Sequence, residues 1–232
     1  MAPRHLLAAF AVALLLPAAT PAQTPGTASF GIFHRGTPVG TAHVTLERTE
    51  AGWRITSRSE IGGDFQLSVK QFDAEYDLAW RPRFMTMELS TPDEHAIVHV
   101  AMMGTTTRTD IVRPRQEALF GANDVSADTL LLPDYVFGAF EALAARLQTA
   151  TPGTELSLFL VPRLEVRATA DRRPPTTVHT TQGPRAVTRW HLTVTRDTPS
   201  PLEIWSDGGR LLRLDLPDEA LSIVRSDVVD AP

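Results

Sequence analysis

The sequence predicts a mainly β protein. Its expected core is a curved antiparallel sheet, a half-barrel or open barrel of about a dozen strands, with one long helix packed on its apolar concave side. Three observations carry this. Apolar and polar residues alternate with period two along most of the chain. The connections between these segments are too short for crossovers, so neighbouring strands run antiparallel. Only one stretch, residues 130–148 (LLLPDYVFGAFEALAARLQ), carries a long helical apolar pattern.

Residues 1–22 read as a secretory signal peptide. A basic start with Arg4 and His5 precedes an apolar run and small residues around Thr20, Pro21 and Ala22. The run is short for a bilayer span, and no second one follows. Cleavage near Ala22 therefore predicts a periplasmic or secreted protein without a membrane span. Residues 23–29 are small and rich in Pro and Thr, which suggests a flexible spacer. Residues 30–228 form one β-rich domain and 229–232 a tail.

Of 232 residues none is cysteine, so disulfides, thiolate metal sites and a cysteine nucleophile are excluded. Lys plus Arg number 22 against 27 Asp plus Glu, and Lys70 is the single lysine. A net charge of −5 with no basic run lacks the electrostatic footprint of a nucleic-acid binder.

The first strands are expected at residues 30–35, 41–49 and 53–61. In the second, Ala42, Val44 and Leu46 alternate with His43, Thr45 and Glu47. Residues 65–80 read as a long strand whose apolar set changes phase: Phe65, Leu67 and Val69 are odd-numbered, whereas Phe72, Ala74, Tyr76 and Leu78 are even. One flat strand cannot hold both sets on one face, so a bulge or sharp bend is expected at Lys70-Gln71. Further strands are expected at 84–90, 95–103 and 105–112, and residues 113–128 read as an exposed loop.

In the helical stretch, Val136, Phe137, Phe140, Leu143, Ala144 and Leu147 share one face. Asp134, Gly138, Glu141, Ala145 and Gln148 fall on the other. Pro133 suits a first helical turn. After the helix, strands are expected at 155–161, 164–170, 176–181 and 186–195. A hairpin at 202–206 and 210–216 turns on Asp207-Gly208-Gly209, which tolerates positive φ, and a last strand occupies 221–227.

Catalytic signatures are missing. There is no G-x-S-x-G, no phosphate-binding G-x-x-x-x-G-K-[ST], no H-E-x-x-H and no strand-linked G-x-G-x-x-G. Asp93, Glu94, His95 and His99 look metal-like, but His95 and His99 lie about 13 Å apart on one strand face. His34 and His43 flank the first hairpin without a third ligand. Asp215, Asp218 and Glu219 are neighbours in sequence, as turn carboxylates often are. No catalytic residue, metal site or cofactor is expected.

The aromatic and methionine set suggests an apolar pocket instead. Its candidates are Phe65, Leu67, Phe72, Tyr76, Trp80, Met85, Met87, Tyr135, Phe137, Phe140 and Trp190. The simpler reading is that the same residues fill a dry core between helix and sheet.

Three stretches carry a resemblance: LLLPDYVFGAFEALAARL at 130–147, LSLFLVP at 156–162 and IWSDGGRLLRLDLPDEALSIVRSD at 204–227. With the signal pattern and the single helix, they make the chain resemble the bacterial lipoprotein-carrier group, the LolA/LolB-like proteins, and related uncharacterised exported proteins. The resemblance implies an open β half-barrel with an apolar interior that holds a lipid or another hydrophobic molecule, and it brings no catalytic residue. The chain lacks the lipobox cysteine of membrane-anchored members, which favours a soluble periplasmic form. Two readings follow: a binding protein for an apolar ligand, or an envelope partner-binding or structural module with a filled core that works through an exposed edge strand or loop.

Overall fold

The computed structural model describes residues 23–196 and 198–229. The signal-like segment at residues 1–22 and the last residues of the tail lie outside them. The first half of the chain is a meander: β1 (Gly26–His34), β2 (Thr37–Arg48), β3 (Trp53–Ile61), β4 (Leu67–Tyr76), β5 (Pro82–Ser90), β6 (His95–Met103), β7 (Thr106–Val112) and β8 (Leu119–Asp124). The second half holds β9 (Leu130–Pro133), α1 (Phe140–Leu147), β10 (Thr154–Val161), β11 (Leu164–Arg172), β12 (Thr176–Thr180), β13 (Gly183–Thr195), β14 (Ser200–Asp207), β15 (Arg210–Leu216) and β16 (Leu221–Arg225).

One hydrogen-bonded path runs β8-β7-β6-β5-β4-β3-β2-β1-β16-β15-β14-β13-β11-β10-β9, with β12 paired to β13 alone. The sheet edges, β8 and β9, are consecutive in the chain. Laid flat, this path would separate them by about 70 Å at 4.8 Å per strand. The short link from Asp124 to Leu130 spans at most about 20 Å. The sheet must therefore curl round, and it does so without hydrogen bonds joining its edges. The mainly β, open, curved architecture with a single helix is as the sequence predicts.

Four details differ. The expected helix at 130–148 is broken. Leu130–Pro133 instead pairs in parallel with β10, Leu130 opposite Leu158 and Leu132 opposite Leu160, which makes the sheet mixed. Tyr135, at φ 58°, turns the chain, and a 3₁₀ turn at Phe137–Ala139 leads into the shorter α1. Three consecutive leucines buried on both faces suit a strand covered from two sides, and that pairing overrides helical periodicity. Second, residues 26–29 are not spacer: they pair along β2 as far as Leu46, and the buried Gln23 donates from Nε2 to Gly209 O at 3.0 Å. Third, the expected loop at 113–128 contains edge strand β8. Fourth, the described residues form sixteen strands, and β4 is shorter than residues 65–80.

The bulge sits where the phase change places it. Ser57 pairs with Phe72 but Ser59 with Val69, so two residues of β4 oppose Arg58. The pairing of β4 with β5 slips at the same place, between Val69 and Gln71.

α1 has no wet face. Gly138, Glu141 and Ala145, expected outside, are all buried. Gly138 must lack a side chain because a Cβ there would overlap the Ser57 hydroxyl of β3. Burying Val136, Phe137, Phe140, Leu143 and Leu147 contributes roughly 7–15 kcal/mol. Glu141 is fully enclosed. It accepts from Arg210 Nε at 3.2 Å and from the Leu211 amide at 3.1 Å. Arg210 also donates to the carbonyls of Thr24 and Gly26. One ion pair thus ties the helix to β15 and to the start of β1. Burial raises the Glu141 carboxyl above the ordinary glutamate range, against the pull of Arg210 and the Leu211 amide. Among the described residues no helix is long and apolar enough to cross a bilayer.

Candidate functional site

The helix covers part of the concave face. The 3₁₀ turn packs on β2 and β3, and α1 on β14, β15 and β9. Beyond them, the concave ends of β4 to β7 face only the corner formed by Pro133-Asp134 and Val161-Pro162, and a cleft of about 230 Å³ lies between. Strand register builds its wall. Met87 pairs with Val98 and Leu89 with Ala96 across β5 and β6, and Val98 pairs with Ile111 across β6 and β7. Period two points this whole ladder inward. Leu67 and the Val161-Pro162 corner complete the apolar lining.

The mouth is polar, formed by Ser90, Thr91, Glu94, Arg113 and Asp134. Arg113 Nε pairs with Glu94 Oε1 across it. A greasy slot with a charged rim can hold an alkyl chain inside and a polar group at the entrance. At about 230 Å³ it falls just below the usual span of small-molecule pockets, roughly 300–1,000 Å³, and suits a single chain better than a ring system.

A second, smaller pit of about 60 Å³ lies on the other side of Asp134, floored by Leu132, Phe137, Phe140, Leu158 and Leu216. Its rim holds Tyr135, Arg196, Asp218 and Glu219. Burial raises the carboxyls of Asp134 and Glu219, opposed at Asp134 by Arg196 and at Glu219 by a hydrogen bond with Tyr135. The outer edges of both residues still reach solvent, so these are modest electrostatic effects. The pit has room for one or two waters.

The sequence-derived pocket residues divide accordingly. Leu67 and Met87 line the cleft. Tyr135, Phe137 and Phe140 line the small pit. Phe72, Tyr76, Met85 and Trp190 are buried in the main core at 0–1% exposure. Trp80 stacks on Trp53 with centroids 5.1 Å apart, and Phe65 lies between His34 and Tyr135. The set therefore does not converge on one space. Leu89, Ala96, Val98, Ile111 and Pro162 were missed. Their alternation marks them as inward strand residues, but nothing local says that the opposite corner stands away from them.

The histidines are engaged separately. His34 pairs with Thr37 in register and His43 with Ser29, so the two do not meet. His95 Nε2 lies 3.0 Å from Glu88 Oε1, and His99 Nδ1 lies 3.0 Å from Thr86 Oγ1. Among the described residues no group of three His, Asp or Glu could hold a metal ion.

No family model matches the chain, and no curated protein matches it. Its likeness is to solved bacterial structures. A β-barrel-like protein of the domain of unknown function DUF1849, from Brucella abortus, is 11% identical with a TM-score of 0.57, covering 89% of this chain and 98% of that one. A DUF1089 family protein from Pseudomonas aeruginosa is 12% identical, TM-score 0.47, covering 77% of this chain and 90% of its own. A protein with a YmcC-like fold from Bacteroides fragilis is 6% identical, TM-score 0.35, covering 87% and 94%. At these identities the first likeness shows the fold alone. It gives the chain a β-barrel-like architecture.

Proposed function

We propose that this protein is an exported, non-catalytic binding protein that holds the alkyl chain of a lipid or similar amphiphile in the cleft between β4–β7 and the Pro133/Val161-Pro162 corner. One observation carries the reading: an apolar, unfilled slot with a polar mouth, set into a wall whose neighbouring regions are closely packed. The carrier-like resemblance and the signal pattern of residues 1–22 support it. The test is titration of the pure protein with a dansylated medium-chain fatty acid. Wild type shows saturable fluorescence enhancement. Ala96→Trp, which fills the slot from β6, abolishes it while the melting temperature stays within a few degrees. A wild-type protein that takes up no probe ends the proposal.

A second reading rests on β8. This strand ends the sheet with Leu119 50% and Phe120 70% exposed, and no charge falls between Leu119 and Asn123. Edges are normally blunted by Lys, Pro or a covering segment. An unblunted one suits strand addition by an extended peptide of an envelope partner.

A further inference from the structure

The bulge in β4 has an outward side as well as an inward one. It returns Val69 and Phe72 to the core and leaves two consecutive residues, Lys70 and Gln71, facing solvent on the convex surface. They lie opposite Arg58 of β3, which in turn pairs with His43 of β2. The only lysine of the chain is thereby brought beside an arginine and a histidine from two further strands. A regular β4 would present a single outward residue there. Bulges commonly re-aim a side chain in this way next to functional sites.

These three side chains line two overlapping surface grooves of about 440 and 430 Å³. Among the described residues Arg58 has no ion-pair partner, unlike Arg54 beside it, which is held by Asp73 at 2.9 Å. The nearby carboxylates already have partners, Asp73 in Arg54 and Glu88 in Lys70 itself as well as His95, so Arg58 is the cation of the group left unpaired among the described residues. Glu60 accepts from Ser68 Oγ at 2.7 Å, and Glu88 lies 3.0 Å from His95 and 3.6 Å from Lys70. His43 Nδ1 lies 2.9 Å from Ser29 Oγ, and among the described residues its Nε2 has no hydrogen-bond partner. Across the strands His43 and Lys70 are two spacings apart, roughly 10 Å, with Arg58 between them. An anion of phosphate size seated on the guanidinium fork is within reach of both flanking side chains.

We propose that the convex side of the β4 bulge is a phosphate-binding site formed by Arg58, Lys70 and His43. Arg58 supplies the bidentate fork that matches a phosphate, Lys70 a point charge, and His43 a single donor. The phosphate belongs either to a small soluble ester or to an anionic lipid headgroup at a membrane surface. The site is independent of the apolar cleft, which opens on the opposite face.

The test uses the protein labelled with ¹⁵N and inorganic phosphate as the probe, with chloride at matched ionic strength as the control. Phosphate is expected to give saturable shifts confined to residues around His43, Arg58 and Lys70. Arg58→Gln weakens the response about tenfold, the loss of one charged hydrogen-bond pair. Lys70→Gln weakens it less, and Arg163→Gln, an exposed arginine elsewhere, leaves it unchanged. All three positions are exposed, so melting temperatures stay at the wild-type value. Sedimentation with phosphatidylglycerol and phosphatidylcholine vesicles then names the source. Retention on the anionic vesicles that is lost in Arg58→Gln identifies a headgroup, and phosphate shifts without retention identify a soluble ester. Shifts that chloride reproduces, or that survive Arg58→Gln unchanged, overturn the site.

Discussion

Two regions of the same concave face meet opposite fates. Over β2, β3, β14 and β15 the face is covered by the helix and its 3₁₀ lead-in. Ile55, Leu214 and Ile204 there are fully buried. Over β5 to β7 the inward residues at the cleft are also apolar, with the buried Thr107 and Thr109 further along β7, yet Leu89, Ala96 and Ile111 keep part of their surface open to the cleft. Strand alternation is the same in both. What differs is the cover: a helix in one place and the turn at Pro133-Asp134 with the end of β10 in the other. An inward apolar ladder therefore marks either core or binding surface, and only the opposing element decides which.

Removing the anchor of the cover is the strongest way to break this contrast. Glu141→Ala leaves Arg210, whose side chain is only 12% exposed, without its buried anion. The cost is about 3–5 kcal/mol, read as a lower midpoint of chemical denaturation. Glu141→Gln keeps an acceptor for the Leu211 amide and loses less. If both variants unfold at the wild-type midpoint, the helix is not held where the contrast requires, and the covered and open regions are not distinct.

The turn that closes β4 and β5 at their end away from the cleft offers a smaller and pH-dependent test. Asp77, in the turn from β4 to β5, accepts from the amides of Ala79 at 2.8 Å and Arg81 at 2.9 Å and from Arg81 Nε at 2.7 Å. Burial opposes ionisation, but these bonds prevail and hold the carboxyl below the ordinary aspartate range. A lowered carboxyl contributes stability above its unfolded value, and that contribution is lost as pH falls through the folded value. Asp77→Asn therefore costs about 1–2 kcal/mol at neutral pH and flattens the acid limb of a melting-temperature profile below about pH 4. An acid limb as steep as that of wild type would show that these bonds do not hold the β4–β5 turn.

Much of this was legible in the sequence, for physical reasons that also mark where legibility stops. Alternation along 41–49 and 186–195 reads directly as β2 and β13, because period two has no other common cause. The phase change between Val69 and Phe72 gave the bulge, since a pleated strand has only two faces. Asp207-Gly208-Gly209 gave the last long hairpin. Leu130 to Leu132 defeated the reading: three leucines in a row carry no period, and their parallel partner, β10, lies well along the chain. Glu141 was placed in water because a helical pattern records which positions are apolar but not whether a distant Arg210 waits for a charge. Leu89, Ala96, Val98, Ile111 and Pro162 were missed for the same reason. Val98 and Ile111 look like any inward pair, and the gap opposite them depends on where the distant Pro133-Asp134 and Val161-Pro162 corner comes to lie.

The smallest expected effect concerns the far end of the open region. Phe120 is 70% exposed on the last strand and pairs inward only with Asp110 of β7. Replacing it with lysine removes no buried contact, so stability should stay within about 0.5 kcal/mol. A charged edge repels further strands, so light scattering is expected to show concentration-dependent association for wild type and less of it for the variant. Fatty-acid uptake should be unaffected, because Phe120 points to the convex side, away from Leu89 and Val98. That pairing of outcomes separates the two functional readings. Retained uptake with lost association assigns ligand binding to the cleft and partner contact to the edge, whereas loss of uptake would mean that β8 shapes the slot and that the open region works as one unit.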